Sequence, residues 1–145
     1  MDKKALILVV DDNSECRAMI VWILKQHGFR TISAAGGREG IELAIEFQPR
    51  LVLMDLSMPG TNGYQATQSI HAHRRGRNIP VVAVSADCVD YRSVSWVLKA
   101  GFTACLGKPF EEEALVRIVT KVLATGVKRP ASCKKSNKRM YAVAS

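Results

Sequence analysis

Five short apolar runs, separated by stretches of helical periodicity, constrain the fold of this chain more than any other feature. Ala5–Val10 (ALILVV) is continuously apolar, as expected of a strand buried on both faces of a parallel sheet. From Ser14 to His27, the residues Cys16, Met19, Ile20, Ile23 and Leu24 recur at helical spacing, and Gly28 supplies a stop. Arg30–Ala34 reads as a second strand. A helix to about residue 47 follows, carrying Ile41, Ala44, Ile45 and Phe47, and Pro49 ends it before a third strand, Leu51–Met54. The loop SMPGTNG (57–63) is turn chemistry ahead of a weakly amphipathic helix to about Arg75. Pro80–Ser85 is a fourth strand, Val89–Ala100 a helix closed by Gly101, and Thr103–Gly107 a fifth strand. Lys108-Pro109-Phe110 turns the chain into a last helix, with Glu111, Glu112 and Glu113 in the first turn, where carboxylates favour the helix dipole. Strands alternating with helices imply a doubly wound α/β fold: a five-stranded parallel sheet built from right-handed crossovers and covered on both faces.

At 145 residues the chain suits one domain with a real core. No apolar run reaches the ~20 residues of a membrane-spanning helix, and Asp11 and Asp12 follow the first run too soon for a secretory signal. A cytoplasmic protein without a membrane span is therefore expected. Four cysteines, at 16, 88, 105 and 133, form no C-x-x-C pair, and reduced thiols are expected; Cys88 and Cys105 read as small buried apolar residues rather than redox sensors. The net charge of +8 is uneven. Residues 126–145 contain six of the basic side chains and no acid, which leaves +2 for residues 1–125. The expected division is thus a folded domain over 1–125 and a basic flexible tail over 126–145.

Ligands of an open parallel sheet gather at the carboxyl ends of its strands. Here those ends carry Asp11-Asp12, Asp55, Ser85 and Lys108-Pro109. With the first and third strands as neighbours, three carboxylates converge, and like charges that close repel unless a cation neutralises them. An all-oxygen set suits Mg²⁺ or Mn²⁺ rather than zinc. Such a pocket is suited to a transferred phosphoryl group, with a carboxylate as nucleophile and an ammonium on a phosphoryl oxygen. Asp55, alone at a central strand end, fits the nucleophile, and Asp12 with Asp11 the metal.

The segments VVDDN (9–13), LMDLSMPGTNG (53–63), VVAVSA (81–86) and KPF (108–110) together resemble the response-regulator receiver domain, the CheY-like fold of two-component signalling. The resemblance covers about residues 5–125. It implies a flavodoxin-like (βα)5 arrangement with strand order 2-1-3-4-5. It also implies that Asp55 accepts a phosphoryl group from the phosphohistidine of a histidine kinase or phosphotransfer protein. Asp12, Asp55 and the backbone carbonyl of Ser57 would hold Mg²⁺, with Asp11 acting through a metal-bound water. Lys108 would pair with Asp55 and then with the phosphoryl oxygen, Ser85 would swing toward it, and Pro109, often cis in the family, would shape the loop. Ser57 and Asp87 border the route of attacking water and would tune dephosphorylation. The family's switch position, commonly aromatic, is Cys105 here; coupling is then expected to rest on Ser85 and the helix at 89–100. Output is expected by protein–protein contact through that helix, strand 103–107 and helix 111–125.

Plainer readings stand beside these. Asp11-Asp12 could be a helix N-cap pair, Ser85 an ordinary strand-end hydroxyl, and Lys108 a solvated lysine; the constellation argues against all three. His27, His71 and His73 form no ligand set, and Trp96 is either a partner contact or a packed aromatic. The tail, with Tyr141 as its one aromatic, reads first as a solvated end; non-specific contact with nucleic acid or another phosphate-rich surface is the alternative. A receiver is not an enzyme beyond its own phosphorylation and dephosphorylation. An aspartyl-phosphate hydrolase of the haloacid dehalogenase type would need an acid at Ser57, and a flavin module would need a phosphate loop where Asp11-Asp12 stands. The opening MDKK reads as a natural start, and about 20 residues of tail are too few for an output domain. The alternatives kept open are a receiver cut from a larger hybrid kinase or regulator, and a module that binds partners without phosphorylation.

Overall fold

The computed structural model describes residues 5–125; the expected basic tail lies outside the described residues. Five strands, β1 (Leu6–Val10), β2 (Arg30–Ala34), β3 (Leu51–Asp55), β4 (Val81–Ser85) and β5 (Ala104–Gly107), form one parallel sheet in the order β2-β1-β3-β4-β5. Five helices join or follow them: α1 (Ser14–Gln26), α2 (Gly37–Phe47), α3 (Gly63–Ala72), α4 (Tyr91–Lys99) and α5 (Glu112–Thr125). The expected doubly wound fold and strand order are those observed.

The continuous apolar runs conceal a period of two. Ile7, Val9, Leu53, Val82, Val84 and Leu106 face one side, where Ile20, Ile23 and Leu24 of α1 and Leu115, Ile118, Val119 and Val122 of α5 cover them. Leu8, Val10, Val52, Met54, Val81, Ala83 and Cys105 face the other, against Ala44 of α2, Ala66 and Ile70 of α3, and Val94 and Val97 of α4. Each fully buried aliphatic side chain removes enough surface to contribute roughly 1.5–3 kcal/mol, so both faces hold the sheet. Among the described residues, no helix is long and apolar enough to cross a membrane.

Helix ends follow local chemistry. Asn13 caps α1, its Oδ1 accepting from the Cys16 N–H at 2.8 Å, so Asp11 and Asp12 are not the cap. Helix α4 starts at Tyr91 rather than Val89 because Asp90 and Ser93 form a capping box. Helix α3 ends at Ala72, three residues short of the expected Arg75, where His73 adopts extended backbone. Gly28 and Gly101, expected as stops after α1 and α4, both have positive φ.

One expectation is overturned. Cys88 and Cys105 are not reduced thiols; they form a disulfide with a Cα–Cα distance of 6.3 Å, linking the β4–α4 loop to the middle of β5. Their burial is as expected, but the sequence separation of 17 hides that Cys105 pairs with Ala83 and that the turn after Ser85, closed by the Cys88 N–H on the Ser85 carbonyl, brings Cys88 within bonding reach of it. Cys16 is a free thiol.

Candidate functional site

Strand register brings the site together. Val10 pairs with Met54, so Asp11 and Asp55 leave their strands level with each other. Asp55 pairs with Val84, which sets Ser85 one step beyond it, and Ser85 pairs with Gly107, directly before Lys108. Ligand oxygens of Asp11, Asp12 and Asp55 lie within 4.8 Å of one another, with Asp12 exposed and the other two buried. Lys108 reaches this cluster with its Nζ 3.0 Å from Asp11 Oδ2 and 3.8 Å from Asp55 Oδ1. It ion-pairs with Asp55, as the resemblance implied, while its hydrogen bond goes to Asp11. The Lys108–Pro109 peptide is cis.

Burial and charge set the protonation of the cluster. Burial pushes Asp55 up to about 6, with the Asp11 carboxylate adding to the shift and Lys108 opposing it. For Asp11, burial also disfavours the charge, but hydrogen bonds from the Asn13 N–H (2.9 Å to Oδ1) and from Lys108 outweigh it, leaving the group below the ordinary carboxylate range. Lys108 is held above the ordinary lysine value: burial works against its charge, and the Asp11 hydrogen bond wins. Burial, with help from Asp11, pushes the nearby Cys16 thiol up. One ammonium among three carboxylates leaves surplus negative charge on oxygen donors. That donor set fits a hard divalent cation.

The surrounding loops supply the remaining groups. The Ser57 N–H donates to Asp55 Oδ1 at 3.3 Å, and Ser57 itself is exposed. Buried Ser85 accepts the Asp87 N–H on its Oγ at 3.1 Å, while exposed Asp87 borders Tyr64, whose phenol is raised by burial and by the Asp87 charge. Cys105 lies fully buried three residues before Lys108 and is covalently tied to Cys88. Trp96 on α4 is 61% exposed and meets Tyr64 edge-on at 5.1 Å; Tyr64 in turn meets Phe102 at 5.7 Å. His27 caps α1 and lies 3.1 Å from Glu112, away from the carboxylates.

Two supporting residues escaped the sequence reading. Arg17 donates from its guanidinium to the Asp11 carbonyl at 2.7 Å, fixing the loop that carries two of the acids. Its position one turn into α1 was the available signal. Gly63, the first residue of α3, packs against the Asp55 carbonyl so closely that a Cβ would collide with it. The turn-rich loop signalled a bend there, but not this contact.

A flavodoxin-like parallel sheet with three carboxylates and an ammonium at its central strand ends defines the receiver class of signalling module. The chain belongs to the response regulator receiver domain family, whose profile matches residues 7–120. It is 36% identical over 120 residues to PilH of Pseudomonas aeruginosa, a match spanning 83% of this chain and 98% of PilH. It is 32% identical over 128 residues to the sensor protein GacS of Pseudomonas syringae, covering 86% of this chain but only 14% of GacS. Among solved structures, the receiver domain of the sensor histidine kinase PA1611 from Pseudomonas aeruginosa superposes with a TM-score of 0.76 at 30% identity, over 83% of this chain and 98% of that one. That domain was crystallised with a magnesium ion coordinated in its active site cleft. The chain is thus a phosphorylation-switched receiver of two-component signalling. Receivers bind Mg²⁺ at their acidic site and work between histidine kinases and downstream targets.

Proposed function

We propose that Asp55 is the phosphoryl acceptor, taking the group from a phosphohistidine of a histidine kinase or phosphotransfer protein. A carboxylate oxygen of Asp55 attacks phosphorus, the P–N bond to the imidazole breaks, and an acyl phosphate forms on Asp55. The residues that would hold Mg²⁺ are Asp12 and Asp55 with the Ser57 carbonyl, and Asp11 through water; the ion supplies neutralisation of phosphoryl charge. Lys108, poised between Asp11 and Asp55, turns its ammonium to a phosphoryl oxygen as the acyl phosphate forms. Ser85 keeps its hydroxyl proton for a second phosphoryl oxygen, since its Oγ accepts rather than donates toward Asp87. Exposed Ser57 and Asp87 flank the approach of water and set the hydrolysis rate, and Pro109 holds Lys108 in its loop. The signal leaves through contacts on α4, β5 and α5.

The observation that carries this reading is the convergence of Asp11, Asp12, Asp55 and Lys108 at one sheet end. Incubation with acetyl phosphate and Mg²⁺ should add one phosphoryl mass, and Asp55→Asn should abolish it. An unmodified wild-type protein would instead favour a module that binds partners without phosphorylation. The chain matches PilH over nearly the whole of PilH and GacS over one segment, so a receiver acting alone and a receiver segment of a hybrid kinase are both readings of the same site.

A further inference from the structure

The Cys88–Cys105 disulfide joins the loop that follows Ser85 to the strand that precedes Lys108. Cys88 lies in the β4–α4 loop, and its N–H donates to the Ser85 carbonyl at 3.2 Å. The same carbonyl accepts the Lys108 N–H at 3.0 Å, and the Ser85 Oγ accepts the Asp87 N–H. Cys105 sits in β5 opposite Ala83, in the middle of the β4–β5 pairing. A covalent link therefore anchors the loop following Ser85 to the strand leading into Lys108. The five-stranded sheet with two apolar cores does not depend on a staple to close, so the bond's place beside the site asks for another account. A receiver fed by phosphohistidine works where thiol pools keep most cysteines reduced, and disulfides in such surroundings are transient and regulatory. Both sulfurs are fully buried, yet the flanking Asp87 and Val89 are exposed, so opening of residues 86–90 is the route by which a reductant reaches them.

We propose that Cys88 and Cys105 form a thiol–disulfide switch, a modification site for dithiol reductants, that controls how freely the β4–α4 loop and Ser85 respond to the phosphoryl group. The functional part of this inference rests on the phosphoryl-acceptor reading above. In the reducing direction, a dithiol of the thioredoxin class attacks one sulfur and a mixed disulfide forms. Its second thiolate then displaces the protein sulfur; two electrons and two protons pass to Cys88 and Cys105, and the reductant leaves as a disulfide. A low-molecular-weight disulfide such as oxidised glutathione reverses the exchange. Oxidised, the loop is pinned to β5 and Ser85 swings little; reduced, the loop follows Ser85 and α4 moves with it.

The test uses the full chain in three measurements. Native protein equilibrated with dithiothreitol or oxidised glutathione is quenched, alkylated and mapped by mass; Cys88 and Cys105 should gain label together in the reduced sample alone, with far-UV circular dichroism unchanged. A bond that stays closed until the protein unfolds overturns the switch. Hydrogen exchange of residues 86–90, measured without any phosphoryl donor, should be at least about tenfold faster after reduction; equal rates overturn it. Finally, Trp96 fluorescence in a Trp22→Phe background should change more on acetyl phosphate and Mg²⁺ treatment in the reduced than in the oxidised form, at equal phosphoryl stoichiometry. Equal changes overturn the coupling. The Cys88→Ala/Cys105→Ala variant should behave as reduced under every condition, and any remaining redox dependence refutes the assignment. If neither redox form takes up a phosphoryl group, the acceptor reading fails by itself, and the exchange rates still decide whether the bond governs the loop.

Discussion

Asp55 carries a burden that its neighbours only partly relieve. Its folded-state pKa of about 6 lies above the ordinary 3.8, so the folded protein binds that proton more tightly than the unfolded chain. The stability this represents is complete below about pH 4 and is lost as the pH rises through about 6. In the presence of a chelator, Asp55→Asn is accordingly expected to be more stable than wild type at pH 7.5, by about 1–2 kcal/mol, with the two converging below pH 4. Urea titrations across that range check it; a variant weaker than wild type at pH 7.5 refutes the argument. Lys108→Ala removes the only cation the structure describes within reach of both carboxylates. Carboxyl NMR titration should then place the Asp55 midpoint higher than in wild type, since Lys108 lowers it more than the Ser57 N–H does.

At the scale of elements, the tightest constraint is the start of α3. Gly63 lies against the Asp55 carbonyl, and its N–H donates to the Leu56 carbonyl at 3.1 Å. A methyl group there forces the β3–α3 loop away from β3, and with it the Ser57 carbonyl. Gly63→Ala is expected to cost about 1–3 kcal/mol and to weaken Mg²⁺ binding, whereas Gly36→Ala, with open space around it and extended backbone (φ −163), should leave Mg²⁺ binding alone. Parallel urea and Mg²⁺ titrations separate the two. The disulfide acts on a different pair of elements, β5 and the β4–α4 loop. Closing a loop with a sequence separation of 17 restricts the unfolded chain, so reduction is expected to lower stability by about 3 kcal/mol. The urea midpoint with and without dithiothreitol measures this, and an unchanged midpoint contradicts it.

For the whole molecule, the site exists because the sheet order sets β1 beside β3 and β4 beside β5, so acids and a lysine from distant segments share one end of the sheet. Mg²⁺ binding only the folded state should raise stability by about 2.7 kcal/mol at a hundredfold excess over its Kd. That gain should shrink as the pH falls through about 6, where Asp55 takes up a proton in competition with the ion. Thermal melts at several pH values and Mg²⁺ concentrations test this, and a pH-independent gain would mean that Asp55 is not a ligand.

The sequence by itself determined the ten elements and the acids at their ends, because apolar alternation, helical spacing and turn residues act over a few neighbours. It placed Asp11, Asp12, Asp55, Ser85 and Lys108 at strand termini. The boundaries it missed, at Val89 and Arg75, are set by a cap at Asp90 and extended backbone at His73. Only the tertiary structure decided that Lys108 bonds Asp11, that Arg17 holds the Asp11 carbonyl, that Gly63 abuts Asp55, and that Cys88 meets Cys105. Each of these is a distance between segments brought together by strand pairing and helix packing, and such distances have no local signature in the order of residues along a chain.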